Sequence, residues 1–285
     1  MQELGAGSIP PELEVARALD DARDEAEGTE DEEPQPGDPG EELRRGAAGH
    51  RPILRAAASA DPVTEYARGM TSRSDLVPRR ASKRLLDVTV SAVLLAAAAP
   101  LFAALLVVIA LDMLVVARDR GPFLFRERRV SRGDEFDVLK LRTLRVDVLD
   151  EVRRSGGHAR LAERDPANLT WAGRAVLKRW YLDELPQLLN VLRGEMSLVG
   201  PRPWPVEMAE RQARDGLDYR YRIAAGWTGP AQVSKGSPDP VSYATLDVGY
   251  VEACRTWSSW RLLRLDLGLL AETVRVLARG EGLRF

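Results

Sequence analysis

Cysteine and histidine, on which many catalytic and metal sites depend, are almost absent from this chain of 285 residues. Cys254 is the single cysteine, so no internal disulfide can form and the fold needs no oxidising compartment. The two histidines, His50 and His158, lie far apart without cysteine partners, which excludes a zinc site of the usual kind. A Ser-His-Asp or Cys-His mechanism would have to rest on one of them, and we expect neither to be catalytic.

Lysine is also scarce, because almost all of the positive charge is arginine. The four lysines are Lys83, Lys140, Lys178 and Lys235. Residues 1–82 carry 10 Arg and 18 Asp or Glu, whereas residues 83–285 carry 31 Lys or Arg and 25 Asp or Glu. This asymmetry predicts an acidic tail on a basic body. A basic body suits an anionic partner, such as nucleic acid, phosphorylated small molecules or anionic lipid.

The acidic part, residues 1–82, is poor in residues that build a core. Tyr66 is its only aromatic residue, and an acidic run at residues 30–33 leads into three closely spaced prolines. Such a stretch cannot bury enough apolar area to offset its ordering entropy. We predict a disordered, solvated tail, with a regulatory or partner-binding arm as the alternative. The start is acidic and lacks an apolar core, so we expect no signal peptide.

One long apolar stretch follows, the 24 uncharged residues from Val88 to Leu111. At about 1.5 Å per residue it is long enough to cross a bilayer. Soluble core helices rarely stay apolar on every face for this length, so the stretch predicts membrane association. Pro100 lies at its centre, where it removes a backbone hydrogen bond and is expected to kink the helix.

Basic residues flank both ends of the apolar stretch: Lys83 and Arg84 before it, Arg118 and Arg120 after it. The positive-inside tendency favours keeping both flanks on the cytoplasmic side. A re-entrant helix-break-helix that dips into one leaflet and turns at Pro100 satisfies both observations. A kinked spanning helix is the alternative, and these residues alone leave both open.

A basic β-hairpin is predicted directly after the membrane segment. Phe123–Arg129 and Glu135–Leu141 flank the connector 131–134, which contains a glycine, and FDVLKL alternates as a strand does. The basic residues that crowd it are Arg126, Arg128, Arg129, Arg132, Lys140, Arg142 and Arg145. They either form a solvated face against anionic headgroups, or one or two of them bind phosphate, because a guanidinium group can donate two parallel hydrogen bonds to phosphate oxygens.

The stretch Lys178–Pro205, KRWYLDELPQLLNVLRGEMSLVGPRPWP, carries the most chemistry. The adjacent acids Asp183 and Glu184 precede Pro186, which fits the first turn of a helix with acidic residues at its positive end. Taken alone, this pattern indicates a helix start. The later run 200–203, GPRP, restrains the backbone and presents one arginine. A rigid arginine loop near paired carboxylates suits a metal-bound phosphate substrate.

In this order the motifs resemble the bacterial sugar transferase family, the polyprenyl-phosphate glycosyl-1-phosphate transferases. The resemblance runs from about Lys83 to Gly280. Its motifs are KRLLDV, the membrane helix with its proline, GPFLFRERRV, KLRTL, YLDELPQLLNVLRGEMSLVGPRP, GWTGPAQVSKG and TWSSWRLLRLDLGLLAETVRVLARG. Several motifs in the right order make the resemblance specific.

The resemblance implies a monotopic enzyme, held by a re-entrant helix at the cytoplasmic face of the plasma (inner) membrane. It would transfer a sugar-1-phosphate from a nucleotide-diphosphate sugar to an undecaprenyl-type polyprenyl phosphate, with Mg²⁺ as cofactor. Nucleoside monophosphate would leave, and the product would start a glycan such as an exopolysaccharide, O-antigen or glycoprotein glycan. Membrane lipids are further expected partners, a homodimer is left open, and nucleic acid is not expected.

The family's catalytic Asp-Glu pair matches Asp183 and Glu184. The implied roles are nucleophile for Asp183, through a phospho-aspartyl intermediate, and magnesium ligand or acid-base partner for Glu184; Asp183 is counted as a second metal ligand. A carboxylate can split phosphoryl transfer into two displacements, while a divalent cation shields the phosphates. Arg202 is expected to bind phosphate, and Arg129 is a further candidate.

Just before the acidic pair, the sequence departs from the family pattern. Lys178 stands where an arginine is common, so the charge is kept without the planar fork. We retain Lys178 as a candidate for phosphate binding. Trp180 and Tyr181 are bulky where small hydroxyl residues are usual, which predicts a reshaped site.

A second departure precedes the GWTG motif. Ala224 and Ala225 stand where the family usually has a basic residue and a proline. Arg220, or alternatively Arg222, is a candidate to replace the lost basic group and to bind phosphate.

The predicted fold class is α+β, mainly α, with the small hairpin, the re-entrant helix and amphipathic interfacial helices. Its parts are the tail 1–82, the membrane segment 83–120 and a catalytic domain at 121–285. At the C-terminus, Trp257 and Trp260 precede a helix rich in arginine and leucine. This helix packs on the protein's own core, at the membrane interface, or both.

Two other functions compete with sugar-phosphate transfer. One is a catalytically inactive, membrane-anchored scaffold of a glycan-assembly complex, with the acidic tail as its interaction arm. The other is nucleic-acid binding by the basic body. The second is disfavoured, because the arginines adjoin a membrane segment and lack interleaved aromatic platforms.

Overall fold

The computed structural model describes residues 76–155, 159–234 and 243–279. The predicted disordered tail, except residues 76–82, lies outside the described residues, as do His50, His158 and Lys235. Of the seven tail residues that are described, Val77 is buried in the main core, and its amide donates to the carbonyl of Arg222 at 2.9 Å.

The apolar stretch lies within one helix, α1, Ala81–Val115, which continues through Pro100. The expected break into two helices is therefore not observed, because a proline removes one backbone donor while the hydrogen bonds on either side maintain the helix. By length and composition α1 could cross a membrane. Most side chains of residues 92–104 are exposed, whereas both ends of the helix carry buried residues.

Both ends of α1 are held by the same folded body. Near the start, the Asp87 carboxylate accepts from the amide of Leu198 at 2.9 Å and from Ser197 Oγ at 3.0 Å. Near the end, the Asp112 carboxylate accepts from the amide of Ala172 at 3.0 Å. The helix is thus anchored at two places 25 residues apart, with its apolar middle free of protein contacts for much of its length.

The predicted hairpin is confirmed as strands β1, Leu124–Ser131, and β2, Asp134–Leu141, paired antiparallel. Ser131 pairs with Asp134, so the turn contains only Arg132 and Gly133. Both have positive φ, 55° and 90°, as a two-residue type I′ turn requires.

Arg142, one of the hairpin's basic residues, is buried. Its guanidinium donates to the carbonyls of Pro122, Leu144 and Asp119. It therefore holds the backbone around the end of α1 and does not form part of a solvated face.

The remaining elements are mostly helical, which confirms the predicted α+β, mainly α class. They are α2 (Val146–Ser155), α3 (Ala159–Ala162), a π-helical turn (Gly173–Leu177), 3₁₀ turns (Ala117–Asp119, Pro166–Asn168, Lys178–Trp180, Leu182–Glu184 and Tyr219–Tyr221), α4 (Gln187–Arg193), β3 (Ser197–Val199), α5 (Val206–Arg214), β4 (Gly226–Thr228), α6 (Pro230–Val233), α7 (Tyr243–Thr256) and α8 (Ser259–Arg279). Strands β3 and β4 form a parallel pair, with Ser197 opposite Gly226 and Val199 opposite Thr228.

Two apolar clusters position the site. The main core joins β2, α4, β3, α7 and α8. The smaller cluster joins the second half of α1 to the segment before the acidic pair, through Leu105, Ile109, Leu141, Ala172 and Leu177.

Helix α8 packs on the main core through Leu262, Leu265 and Leu269, which confirms one of the two alternatives for it. Trp260 and Val274 remain exposed on its outer side. Contact of this outer side with a membrane stays a prediction.

Candidate active site

Two consecutive 3₁₀ turns present the acidic pair. Lys178–Trp180 forms the first turn and Leu182–Glu184 the second, and between them Tyr181 adopts a left-handed conformation with φ 54° and ψ 26°. This conformation is uncommon for a residue with a bulky side chain. The reversal brings Lys178 back over Asp183, with Nζ 3.0 Å from Oδ2. Helix α4 begins at Gln187, directly after Pro186, so the predicted helix start is also confirmed.

Asp183 is buried with only one of its carboxylate oxygens satisfied. The residue is 1% exposed, and its Oδ1 is buried without a hydrogen-bond partner among the described residues. The Lys178 ammonium that contacts Oδ2 also lies 2.8 Å from Glu163 Oε2. Thr143 Oγ1 donates to the other Glu163 oxygen at 3.0 Å. Lys178 is therefore fixed between two carboxylates, and Asp183 keeps one oxygen for a ligand or a reaction.

The environments of Asp183 and Glu184 separate their acidities. Burial raises the pKa of Asp183, the Lys178 ammonium opposes that rise, and the Glu184 carboxylate adds to it. Burial acts on Glu184 in the same direction, but the charges of Arg202 and Lys140 outweigh it and hold its pKa at about 2. Glu184 thus stays ionised, while Asp183 is the more basic carboxylate of the pair.

Arg202 completes this group of charges. Its Nη2 lies 2.5 Å from Glu184 Oε1. The loop that carries it is tied to the β3–β4 pair, because Gly200 N donates to Thr228 O at 2.9 Å and Gly226 N donates to Pro201 O at 2.8 Å. A Cβ atom on Gly226 would lie 2.2 Å from Gly200 N, so only glycine permits this close approach. The predicted proximity of the arginine loop to the paired carboxylates is present in the structure.

The other two predicted phosphate ligands contact the same loop. Arg129 donates to the carbonyl of Pro203 at 2.9 Å and forms an ion pair with Glu127. Arg220 is buried and donates to the backbone carbonyl of Arg202.

The remaining contacts of Arg220 are internal to the protein. Its guanidinium lies 3.9 Å from the ring centroid of Trp204 and 3.2 Å from Asp247 Oδ2. These contacts place Arg220 against the back of the Arg202 loop, and its direct contact with phosphate stays a prediction. The alternative residue, Arg222, forms an ion pair with Asp218 at 2.6 Å.

Sequence reasoning gave no individual role to two residues of this group. Lys140 on β2 is half-buried, and its charge interacts with those of Glu184, Arg129 and Arg202. Burial lowers its pKa, and its ammonium makes no hydrogen bond to another described residue. The alternation of FDVLKL, which places Lys140 in a strand of the basic hairpin, is a signal that could have found it, whereas nothing in the sequence singled out Glu163.

The two adjacent carboxylates fit a magnesium ion that arrives with a phosphate substrate. Among the described residues, no group of three or more His, Cys, Asp or Glu side chains could hold a metal alone. Magnesium does not require such a group, because it usually keeps several waters and takes one or two carboxylates together with substrate phosphates. The unpartnered Oδ1 of Asp183, beside the ionised Glu184, supplies that kind of donor.

Comparison with known proteins identifies relatives over most of the described chain. Residues 78–280 match the family described as bacterial sugar transferase. The chain is 39% identical over 194 residues to UDP-glucose:undecaprenyl-phosphate glucose-1-phosphate transferase of Caulobacter vibrioides. The aligned residues cover 65% of this chain and 67% of the relative. It is 38% identical over 215 residues to exopolysaccharide production protein ExoY of Sinorhizobium fredii, and the aligned residues cover 70% of this chain and 87% of that relative.

A longer relative matches over part of its length only. Undecaprenyl-phosphate galactose phosphotransferase of Salmonella typhimurium is 36% identical over 214 residues, which make up 70% of this chain but 41% of that protein. Several other relatives are matched over little more than a third of their length. The family match, which covers most of the chain and includes the acidic pair and the arginine loop, shows that this protein belongs to the bacterial sugar transferase family.

Proposed function

We propose that this protein transfers a sugar-1-phosphate from a nucleotide-diphosphate sugar to polyprenyl phosphate and releases the nucleoside monophosphate. The reaction would be the first step in building a membrane-linked glycan. The observation that carries this proposal is the buried Asp183, with one unpartnered oxygen, beside an ionised Glu184 that pairs with Arg202. The names of the Caulobacter and Salmonella relatives, both undecaprenyl-phosphate transferases, support the same substrate class.

In the first step, an oxygen of Asp183 attacks the phosphorus that bears the sugar. The bond from that phosphorus to the bridging oxygen breaks, and the nucleoside monophosphate leaves with the electron pair. In the second step, a phosphate oxygen of polyprenyl phosphate attacks the aspartyl-bound phosphorus and frees Asp183. Each displacement is simpler than a direct encounter of two phosphorylated substrates.

The cations around the pair have separate roles in these steps. Lys178 holds Asp183 in place and offsets its charge when no substrate is bound. Arg202 and Lys140 place positive charge beside Glu184, and Arg129 contacts the Arg202 loop, an arrangement that suits a diphosphate. Asp183 and Glu184 would hold a magnesium ion, which shields the substrate's negative charge when it is bound.

The contacts at both ends of α1 support a re-entrant position in the membrane. Along a straight helix, Asp87 and Asp112 would lie about 37 Å apart, farther than the roughly 30 Å thickness of the hydrocarbon core. One folded body holds both residues, and a soluble body cannot lie on both sides of a bilayer. A bend of the continuous helix at Pro100 would let the apolar middle enter and leave through one face, and the basic flanks favour the cytoplasmic side of the inner membrane.

Purified protein in vesicles, supplied with a panel of nucleotide-diphosphate sugars, polyprenyl phosphate and magnesium, tests the proposal. We expect release of nucleoside monophosphate from at least one donor, and loss of this release on chelation of magnesium with EDTA. Asp183→Asn should lower kcat by at least about 1000-fold, because an amide is not a nucleophile. Asp150 on α2 is exposed and far from Asp183 in the chain, so Asp150→Asn is the matched control and should retain full activity.

Two results would contradict the proposal. An Asp183→Asn protein that still turns over would reject Asp183 as the nucleophile. A folded wild-type protein that releases no nucleoside monophosphate from any donor would favour the inactive scaffold instead.

A further inference from the structure

The segment Trp171–Trp180, just before the acidic pair, has an exposed face that the proposed chemistry leaves unused. Its inner face is apolar, with Ala172 and Leu177 buried against the second half of α1. Its outer face carries two tryptophans and two arginines, of which Trp171 is 50% and Trp180 61% exposed. Large exposed aromatic side chains next to unpaired cations are typical of a binding surface rather than of an ordinary solvated face.

The helix on which this segment packs, α1, would put it at the edge of the bilayer. Its partners on α1, Leu105 and Ile109, belong to the apolar stretch that is predicted to lie in the membrane. Phe102 and Val176 extend the same cluster. Since tryptophan and arginine combine an apolar body with a polar group, they are favoured at the boundary between hydrocarbon and water.

The charge of the outer face is uncompensated. The side chains of Arg174 and Arg179 make no hydrogen bond or ion pair with another described residue. The stretch 171–180, WAGRAVLKRW, contains no acidic residue. The guanidinium of Arg179 lies 6.0 Å from the ring centroid of Trp180, so the cation and the aromatic ring are neighbours.

The outer face also lies close to the nucleophile in the chain. Lys178 directs its ammonium inward to Asp183, whereas the next two residues, Arg179 and Trp180, are exposed. Trp180 is three residues before Asp183 in the chain. A ligand held by Arg179 and Trp180 would thus approach the reacting carboxylate from the side of the bilayer.

The geometry points to Arg179 and Trp180 as the site that receives the head of the acceptor lipid, a polyprenyl phosphate. The guanidinium binds the phosphate, and the indole packs on the first isoprene units. Of the two substrates, the nucleotide sugar is soluble, and only the acceptor arrives from the membrane with an anionic head on a branched apolar chain. This inference rests on the proposed transfer to polyprenyl phosphate.

Steady-state kinetics in vesicles with a varied mole fraction of polyprenyl phosphate, at saturating nucleotide sugar, test the assignment. For Trp180→Ala and Arg179→Gln we expect the KM for the acceptor to rise about tenfold, with kcat and the KM for the donor close to wild type. Trp180→Phe should retain most of the acceptor affinity. Trp260, which lies on α8 and is 67% exposed, similar to Trp180, supplies the matched control: Trp260→Ala should leave the acceptor KM unchanged.

Three outcomes would overturn the assignment. The first is an unchanged acceptor KM in both variants. The second is a rise in the KM for the nucleotide sugar instead, which would mean that the indole stacks on the donor's base. The third is an equal loss of binding to anionic phospholipid vesicles without acceptor, which would mean a general membrane anchor. If the wild-type protein releases no nucleoside monophosphate at all, the proposed function fails. If the wild-type protein is active and both variants have the same acceptor KM as it has, only the assignment of Arg179 and Trp180 fails.

Discussion

Asp183 and Glu184 are adjacent carboxylates whose surroundings give them different tasks. Glu184 faces Arg202 and remains charged, whereas burial makes Asp183 the more basic of the two and Lys178 limits that effect. Because the two environments separate the pKa values, one carboxylate suits charge stabilisation and the other suits nucleophilic attack. Lys178 has the largest part in this balance after burial, since among the described residues it alone hydrogen-bonds to the Asp183 carboxylate.

Removal of the Lys178 charge should therefore change the pH dependence of the reaction. In Lys178→Met the pKa of Asp183 loses the interaction that lowers it, so Asp183 stays protonated to higher pH. We expect the acid limb of the kcat/KM profile to move to higher pH. Lys178→Arg keeps the charge and should leave the limb close to that of wild type. A limb in Lys178→Met that coincides with the wild-type limb would contradict this account.

Asp247, behind the arginine loop, should make stability depend on pH in the opposite sense from an ordinary surface carboxylate. Burial raises the pKa of Asp247 from 3.8 to about 6, against the effect of Arg220. Because the pKa of Asp247 is raised in the folded state, its protonation adds to the free energy of unfolding. This contribution is complete below about pH 3.8 and is lost as the pH rises through about 6. The loss amounts to about 3 kcal/mol at most.

Thermal unfolding across this pH range tests the role of Asp247. The free energy of unfolding of wild type, minus that of Asp247→Asn, should fall as the pH rises from about 4 to about 6. The subtraction removes the contributions of the other titrating groups to the free energy of unfolding, because both proteins share them. A difference that stays flat across this range would show that Asp247 does not titrate there.

The β3–β4 pair positions the arginine loop through the close approach of Gly226 and Gly200. In Gly226→Ala, the new Cβ would lie 2.2 Å from Gly200 N and 2.4 Å from Gly200 O, so the loop must shift. A displacement of about 1 Å near reacting groups can cost about 100-fold in rate, and we expect a loss of that order in kcat/KM.

Gly268 in α8 is the matched control for this substitution. A Cβ there would meet nothing within 4 Å. Gly268→Ala should keep full activity and stabilise the protein by about 1 kcal/mol, because alanine favours a helix more than glycine does. Equal activity of the two alanine variants would contradict the positioning role of the strand pair. The kcat/KM of both variants tests the effect on activity, and their melting temperatures test the effect on stability.

At the level of the whole molecule, the attachment of both ends of α1 to one body should be visible as its topology in a membrane. Single cysteines at Leu85 and Arg118, both exposed, can be introduced after Cys254→Ser. We expect a membrane-impermeant thiol reagent to label both from the same side of sealed vesicles. A cysteine at the exposed Leu101, in the middle of α1, should be protected by lipid. Labelling of positions 85 and 118 from opposite sides would mean a spanning helix.

Local signals in the sequence were sufficient for several parts of the fold. Alternating residues around Gly133 predicted the hairpin, since a two-residue turn with positive φ requires only local chemistry. The run from Val88 to Leu111 predicted the long helix. The helix start after Pro186 was likewise readable from neighbouring residues. The break at Pro100 was the exception, because the loss of a single backbone donor does not by itself end a helix.

The acidic pair and the arginine loop were found by resemblance to a family, but their partners were not. Glu163 and Lys140 lie far from Asp183 in the chain. Glu163 contacts Lys178, and the charge of Lys140 acts on both acids, only because the chain folds these distant residues together. Arg220 was expected at the phosphate, yet its burial against Trp204 and Asp247 depends on the packing of α7. Such contacts carry no local signature.

The amino-acid sequence alone therefore specified the elements with short-range causes: the apolar helix, the tight hairpin and the motifs of the family. Tertiary structure decided which charges meet and which atoms stay unpartnered. It buried Asp183, left its Oδ1 without a hydrogen-bond partner among the described residues, fixed Lys178 between two carboxylates and attached both ends of α1 to one body. The physical reason is that burial and charge pairing depend on distances between residues far apart in the chain, and only the packed cores set those distances.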